Sequence, residues 1–438
     1  MAAGLNGKGK SGMRGEKRIA LCAACMVGMA AFAACGVKNE VVNYQMPAEA
    51  ITTITFFGNK YEPENVTVIE KIISDFMTEN PGIRVSYESL KGTDYFEALE
   101  KRMDSGKGDD VFMVNHDAVL ELGAQGRLAD LSGLSSIPGY TDQMLGQMTE
   151  KNGKIYGVPT TVSVFGLYCN KDLLREHRQK IPQNLGEWED VCDYFVKQGI
   201  TPVIANNDIS LKTLAIGQSF YSTYRKNREA EVFGELNSGT AQLSQYLDSG
   251  FALAEEFLEK RYIDAEKALQ TKKTSDDLEE FVKGESPFML TGAWAAGRVK
   301  EMQPDFDFEV APYPVLQDGA LVVINADTRL GVNAASEHKE AAVKFVEYFT
   351  RAENIRKFAD QQASFSPLEG GAPSTVAEIQ PLIPCYEADR TVIGSDELLD
   401  LPIWNLTAEV SRQLLSGQPL EKAMAWMDEQ AAEERSPS

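Results

Sequence analysis

Histidine and cysteine are scarce in this chain of 438 residues, which carries three of the first and six of the second. A histidine zinc site needs at least two ligands close together, and His116, His177 and His338 are far apart in sequence. His177, in Arg175-Glu176-His177-Arg178, and His338, in the first turn of a helix, read as solvated surface groups. None of the strands read below is followed by a GxxxxGK phosphate loop or a GxGxxG turn, and the chain has no GxSxG elbow and no HExxH pair. Phosphoryl transfer, dinucleotide redox chemistry, serine hydrolysis and zinc proteolysis therefore leave no local trace. No metal or cofactor is expected. Acid–base catalysis by paired carboxylates stays open, because 65 acidic residues always offer some pair, yet no pattern nominates one.

Positive charge is also short. Lys and Arg number 43 against 65 Asp and Glu, a formal charge of -22. Binding to a polyanion rests on Lys and Arg neutralising phosphates, so a nucleic-acid partner is excluded as an expectation. The acidic surface reads as a solubility feature. A chain of this length exceeds what one core usually supports, and two domains are the prior.

The first segment has its own composition. Lys8, Lys10, Arg14, Lys17 and Arg18 precede an uncharged run from Ile19 to Ala34, rich in small side chains and too short and badly flanked for a spanning helix. That is the pattern of an export signal. It ends Phe32-Ala33-Ala34-Cys35-Gly36, which resembles a bacterial lipobox, where the thiol takes a diacylglyceryl group and cleavage makes the cysteine the new N-terminus. Residues 1–34 read as a lipoprotein signal peptide, Cys35 as the lipid attachment site, and 35–50 as a polar tether at the outer face of the cell membrane. Phe32 stands where the motif usually has Leu, and free secretion after cleavage near Ala31 to Ala34 is the competing expectation. Cys169, Cys192 and Cys385 remain downstream, where they make no disulfide framework; one bridge among them stays open beside three buried thiols.

Order begins at Ile51. Ile51 to Phe57 is a β-rich run, and Val66 to Met77 puts Ile69, Ile72, Ile73 and Phe76 on one helical face. Asn80-Pro81-Gly82 stops that helix, and Ile83 to Tyr87 alternates as a strand. Strands at Asp110 to Val114, Val162 to Tyr168, Pro287 to Leu290 and Leu321 to Ile324 then alternate with helices at Phe96 to Met103, Asp117 to Leu122, Trp188 to Val196, Phe251 to Phe257 and Asp277 to Val282. A helix capped by Ser336 runs through Ala342, Phe345, Val346 and Phe349, and two helices, Leu406 to Leu415 and Leu420 to Glu429, close the chain. Such alternation predicts an α/β fold with an open, largely parallel sheet and helices on both faces, in which ligands bind at the carboxyl ends of strands.

Those strand ends carry aromatics and amides. Sugars are bound by stacking C–H faces on flat rings while short polar side chains take the hydroxyls. Trp294, in Gly292-Ala293-Trp294-Ala295-Ala296-Gly297, has little to pack against locally and is the best candidate platform. Trp188 and Trp426 sit on amphipathic helices and read as core, whereas Trp404 after Pro402 is open to either reading.

The order of short segments resembles the type 1 extracellular solute-binding proteins of ABC importers. The resemblance rests on Ile54 to Gly58, Asp110 to Asp117, Gly126-Arg127-Leu128-Ala129-Asp130-Leu131, Gly153-Lys154-Ile155-Tyr156-Gly157-Val158-Pro159 and Leu167 to Leu173. It continues with Gly186-Glu187-Trp188, Phe281 to Glu285, Gly292-Ala293-Trp294 and Gly331 to Ser336. It implies two α/β lobes joined by a hinge, with lobe 1 from 51–159 and 326–358, lobe 2 from 160–325 and 359–438, and a ligand cleft between them.

Carried over position by position, the resemblance assigns ligand contacts to Asn59 and Tyr61 after the first strand, and to Asn115 and Asp117 after the strand at Val111 to Val114. Asp117 falls where sugar binders place a hydroxyl-binding carboxylate. Ser163 lies at the lobe crossing, where the maltose binders of the family have an acidic residue, a departure that speaks against maltose. Asn207 and Asp208 fall in a lobe 2 loop that commonly adds polar contacts, Trp294 matches the stacking tryptophan, and Trp404 is a second platform. The implied function is capture of a carbohydrate, an oligosaccharide, and delivery to the permease subunits of an ABC importer by hinge closure, with no bond made or broken. A monomer is expected. Two rivals stay open: a secreted carbohydrate-active enzyme, and a sugar-sensing receptor lipoprotein.

Overall fold

The computed structural model describes residues 51–435 apart from 274, 372 and 373. The export signal 1–34, Cys35 and the tether 35–50 lie outside the described residues.

Among the described residues ten strands form the sheet: β1 (Thr52–Gly58), β2 (Ile83–Ser89), β3 (Val111–Val114), β4 (Val158–Asn170), β5 (Val203–Ile204), β6 (Phe288–Gly292), β7 (Phe308–Ala311), β8 (Tyr313–Leu316), β9 (Gly319–Val332) and β10 (Thr391–Ile393). The main path runs β2-β1-β3-β9-β4-β6-β5, with β10 and β8 also on β9 and β7 on β4. Pairing is parallel in β1/β2, β1/β3, β5/β6 and β9/β10. It is antiparallel in β3/β9, β4/β9, β4/β6, β4/β7 and β8/β9. The largely parallel sheet expected from strand–helix alternation is thus corrected to a mixed one. The cause is the pair of long strands β4 and β9, which run against each other from Val158↔Leu330 to Phe165↔Val323 and serve both halves of the molecule.

Two apolar cores sit on that sheet. The first gathers Phe56, Ile69, Ile73, Phe76, Phe112, Phe345 and Phe349 around β1 and β3. Here the helix Pro63–Glu79 buries Ile69, Ile72, Ile73 and Phe76, the face its spacing predicts, and the Asn80 side chain donates to the Phe76 carbonyl at 2.9 Å to close it. The second core holds Trp188, Phe195, Leu214, Phe251 and Leu414, with Trp188 fully buried as expected and its ring 4.7 Å from that of Phe257. Cys169, Cys192 and Cys385 are free thiols, the first two buried. Two smaller expectations need correction. His177 is half-buried, with Nδ1 3.2 Å from the Tyr194 hydroxyl, because Tyr194 and Phe195 pack around its ring. The helix expected to be capped by Ser336 is Lys339–Phe349 with His338 at its N-cap; the Ser336 hydroxyl instead donates to Asp110 and accepts from the His338 amide.

Where β4 and β9 cross between the cores, Thr328 has φ +46°. A β-branched residue in the left-handed region is costly, and its neighbours hold it there. The Thr160 hydroxyl donates to the Thr328 carbonyl at 2.7 Å, and the Thr328 amide donates to the Asp327 carboxylate at 2.7 Å. Past the helix Ala352–Gln361 the chain stays beside the first core, with Phe365 and Val162 exchanging backbone hydrogen bonds and Leu368 bridging to Tyr140. It returns to the second core at β10.

Candidate functional site

Three rings meet at the carboxyl end of β6 and the middle of β4. Phe165, pointing from β4, has Trp294 edge-on at 5.1 Å and Trp404 tilted at 5.3 Å. Trp294 sits in the short turn Ala293–Ala295 that follows β6, and its indole lies on Gly292: a β-carbon there would be 2.1 Å from ring atoms. The Gly292 φ of -78° is ordinary, so space, not backbone freedom, demands glycine. Trp404, in the first turn of the helix Ile403–Leu415, is seated in the same way on Gly394, where a β-carbon would come within 2.7 Å of the ring. Both indoles are half-buried. Each keeps part of a flat apolar surface open.

Behind Trp404 lies Lys212, from the helix Ser210–Arg225, with a side chain 1% exposed. Its ammonium is 4.1 Å from the Trp404 ring centre, donates to Asp208 Oδ1 at 2.7 Å and reaches the Trp404 carbonyl at 3.3 Å. Lys273 also pairs with Asp208. Burial would raise the Asp208 carboxyl, but the two ammonium groups outweigh it and hold Asp208 far below the usual carboxylate range. Burial pushes Lys212 down to about 8 against the attraction of Asp208. Asn207 is spent on the loop itself, donating its side-chain amide to the Leu269 carbonyl at 3.0 Å. Its neighbour Asn206 accepts from the Asp208 and Ile209 amides and donates to Asp277 at 2.9 Å.

The first lobe brings Asp117. Asn115 ends β3 and accepts from the Ala118 amide at 2.9 Å, so its side chain caps the helix His116–Ala124. In the first turn of that helix Asp117 is buried, and neither carboxylate oxygen has a hydrogen-bond partner among the described residues. Burial raises its carboxyl above the ordinary value, opposed by the charges of His116 and Lys212 and by the nearby Asn405 amide of the Trp404 helix, which stands outside good hydrogen-bond geometry. An orphaned buried carboxylate is costly and calls for donors. Asn59 Oδ1, after β1, is a second buried acceptor without a partner among the described residues. Tyr61 is half-buried beside Glu62, and Glu62 meets Arg298 of the helix Ala296–Glu301 at 3.6 Å.

Ser163 faces β9 and donates to Asp327 Oδ2 at 2.6 Å. The chain therefore has a carboxylate at the lobe crossing after all, supplied by the neighbouring strand. Asp327 was missed because its strand partner lies 164 residues away. Lys212, Phe165 and Arg298 were also missed: each is one residue inside an ordinary amphipathic or apolar run. Among the described residues no group of three His, Cys, Asp or Glu side chains is arranged to hold a metal ion. The site offers ring faces, orphaned acceptors and one buried ammonium, which suits a ligand with apolar faces and many hydroxyl donors.

The sequence model for bacterial extracellular solute-binding proteins matches residues 71–381. The multiple sugar-binding protein of Streptococcus mutans is 24% identical over 356 residues, covering 77% of this chain and 80% of the relative. Among solved structures, the solute-binding protein RafE in complex with raffinose superposes with a TM-score of 0.67 at 23% identity, over 88% of this chain and 100% of that one. A family 1 extracellular solute-binding protein from Bifidobacterium longum subsp. infantis gives 0.68 at 20% identity, over 87% and 99%. These structures share the two-lobed α/β fold.

Proposed function

The chain belongs to the bacterial extracellular solute-binding protein family, and from that premise we propose that it captures a carbohydrate, an oligosaccharide, and hands it to the permease of an ABC importer. The observation that carries the choice of ligand is the seating of Trp294 and Trp404 against Phe165, with the orphaned Asp117 carboxylate contributed by the other lobe. Two rigid indoles give stacking surface for successive rings, and Asp117 accepts from hydroxyls. The sugar-binding names of the relatives agree with this chemistry. In this reading lobe 1 comprises 51–159 and 326–358 together with the following stretch to 390, which packs on the first core, lobe 2 comprises 160–325 and 391–438, and the ligand favours the form in which they close on it. Cys35 carries the lipid that keeps the receptor beside its permease, which raises its effective concentration there.

The ligand contacts in this proposal are Asp117, Trp294 and Trp404, with Asn59, Tyr61 and Ser163 at the rim of the cleft; Asn115, Asn207 and Asp208 support them. A thermal-shift screen against raffinose, stachyose, malto-, xylo- and chito-oligosaccharides tests it. A stabilising sugar recovered chemically unchanged supports capture. Conversion of that sugar to shorter products, or no shift with any of them, overturns it.

A further inference from the structure

The lobes are joined at a third place besides β4 and β9. Past β10, residues 394–402 are fastened to the second lobe: the Tyr224 hydroxyl donates to Asp396 at 2.7 Å, and the Asn237 amide group donates to the Leu398 carbonyl at 2.7 Å and accepts from the Asp400 amide at 2.8 Å. From that footing Glu397 turns into the first lobe. Its Oε2 lies 3.2 Å from His116 Nδ1 and 2.9 Å from Arg329 Nη1, and its amide donates to the Gln147 side chain at 3.1 Å. His116 Nε2 is 3.2 Å from the Leu399 carbonyl. The side chains of His116, Arg329 and Glu397 are 2%, 1% and 4% exposed. His116 immediately precedes Asp117, and a few residues beyond Glu397 the chain reaches Trp404. One buried carboxylate thus ties together the two elements that carry the cleft residues.

The seat is not fully satisfied. Glu397 Oε1 and Arg329 Nη2 are buried without a partner among the described residues. Glu150, half-buried in the turn before β4, faces Glu397; burial and the Glu397 charge push its carboxyl up to about 7. The other charged groups around the seat are Asp117 beside His116, the Lys151–Asp400 pair outside it, and Asp396 with Glu229 on the second lobe.

We propose that Glu397 is a positioning residue for the cleft: seated on His116 and Arg329, it fixes the Asp117 helix relative to the Trp404 helix. The proposal rests on the cleft reading above, but its test does not require the sugar to be known. Spin labels at Glu100→Cys in lobe 1 and Glu259→Cys in lobe 2, in a Cys385→Ser background, report the interlobe distance without ligand. The distribution is expected to be narrow in the parent chain and broad in Glu397→Ala, with Glu397→Gln, which keeps an acceptor for Arg329, in between. Calorimetric titration with raffinose is expected to show affinity lower by roughly 3- to 30-fold in Glu397→Ala. The same distance distribution in the parent chain, Glu397→Gln and Glu397→Ala would overturn the proposal. Raffinose that binds none of the three counts against the sugar chosen as probe, and the distance measurement still decides the role of Glu397.

Discussion

The Lys212 ammonium lies 4.1 Å from the centre of the Trp404 ring and reaches the carbonyl of the same residue at 3.3 Å. One side of the indole is thereby occupied by a buried cation, Gly394 and Phe165 pack on other parts of it, and what stays exposed is the stacking surface. The cation is itself anchored by Asp208, so the platform, its backing and the backing's counter-ion form one unit.

Removing the platforms tests where the ligand sits. Trp294→Ala and Trp404→Ala are each expected to weaken oligosaccharide binding by roughly 10- to 100-fold, the scale of a central aromatic anchor. Titration calorimetry measures it. Unchanged affinity in both variants would move the binding site elsewhere.

Lys212→Met leaves Asp208 with Lys273 alone and strips the cation from Trp404. Breaking a buried pair by removing one partner costs about 3 kcal/mol. Thermal and denaturant unfolding are expected to register that loss, and adding Asp208→Asn should recover part of it. A Lys212→Met protein as stable as the parent would show that the pair contributes nothing.

Gly292→Ala and Gly394→Ala place a methyl group inside the Trp294 and Trp404 rings. Overpacking of this kind costs about 1–3 kcal/mol; at Gly292 relief needs the Trp294 ring to move, and at Gly394 the Trp404 ring together with the Asn325 side chain, whose oxygen would lie 2.9 Å from the new carbon. Tryptophan emission should shift in each variant and sugar affinity should drop with it. Gly297→Ala, with open space at its β-carbon, serves as the control and should change neither.

The pH dependence of stability follows from groups with opposed shifts. Glu397 is held down at about 2 by His116 and Arg329 in spite of burial, so its contribution is present above the ordinary glutamate value of 4.5 and is lost as pH falls towards 2. Glu150 titrates near 7 in the folded chain, so stability falls as pH rises from 4.5 through 7. Asp277, raised by burial to about 6, acts in the same direction. His116 is raised by Glu397 against the effect of burial, and its contribution is lost as pH rises through its folded value. Melting temperatures are therefore expected to peak near pH 4.5 and to fall from there towards pH 7. A profile that rises steadily from pH 5 to 8 would contradict this assignment.

How far the chain could be read from its residues depended on the reach of each interaction. The helix Pro63–Glu79 and the burial of Trp188 follow from local spacing, because one apolar face must find a core whatever the topology. The run of β4 against β9 does not, since alternation of strands and helices says nothing about partners far apart in sequence. Ser336 looked like a cap because only local acceptors are visible in sequence; Asp110, from across the fold, took its hydroxyl. In the candidate site, Asp117 was picked out by the order of short segments and Trp404 by its place in the C-terminal region, neither by local chemistry alone. Lys212 and the pair His116 and Glu397 had no such help, the last two being 281 residues apart.

The glycines under the two tryptophans also settle when the rings lose their freedom. An indole pressed on a bare backbone gives up its rotamers as the chain folds, so a ligand arriving later does not bear the roughly 0.5–1.5 kcal/mol that immobilising such a side chain costs. A surface made ready in this way discriminates by shape: a sugar that fits it gains the full stacking energy, and one that does not cannot call on the rings to adjust.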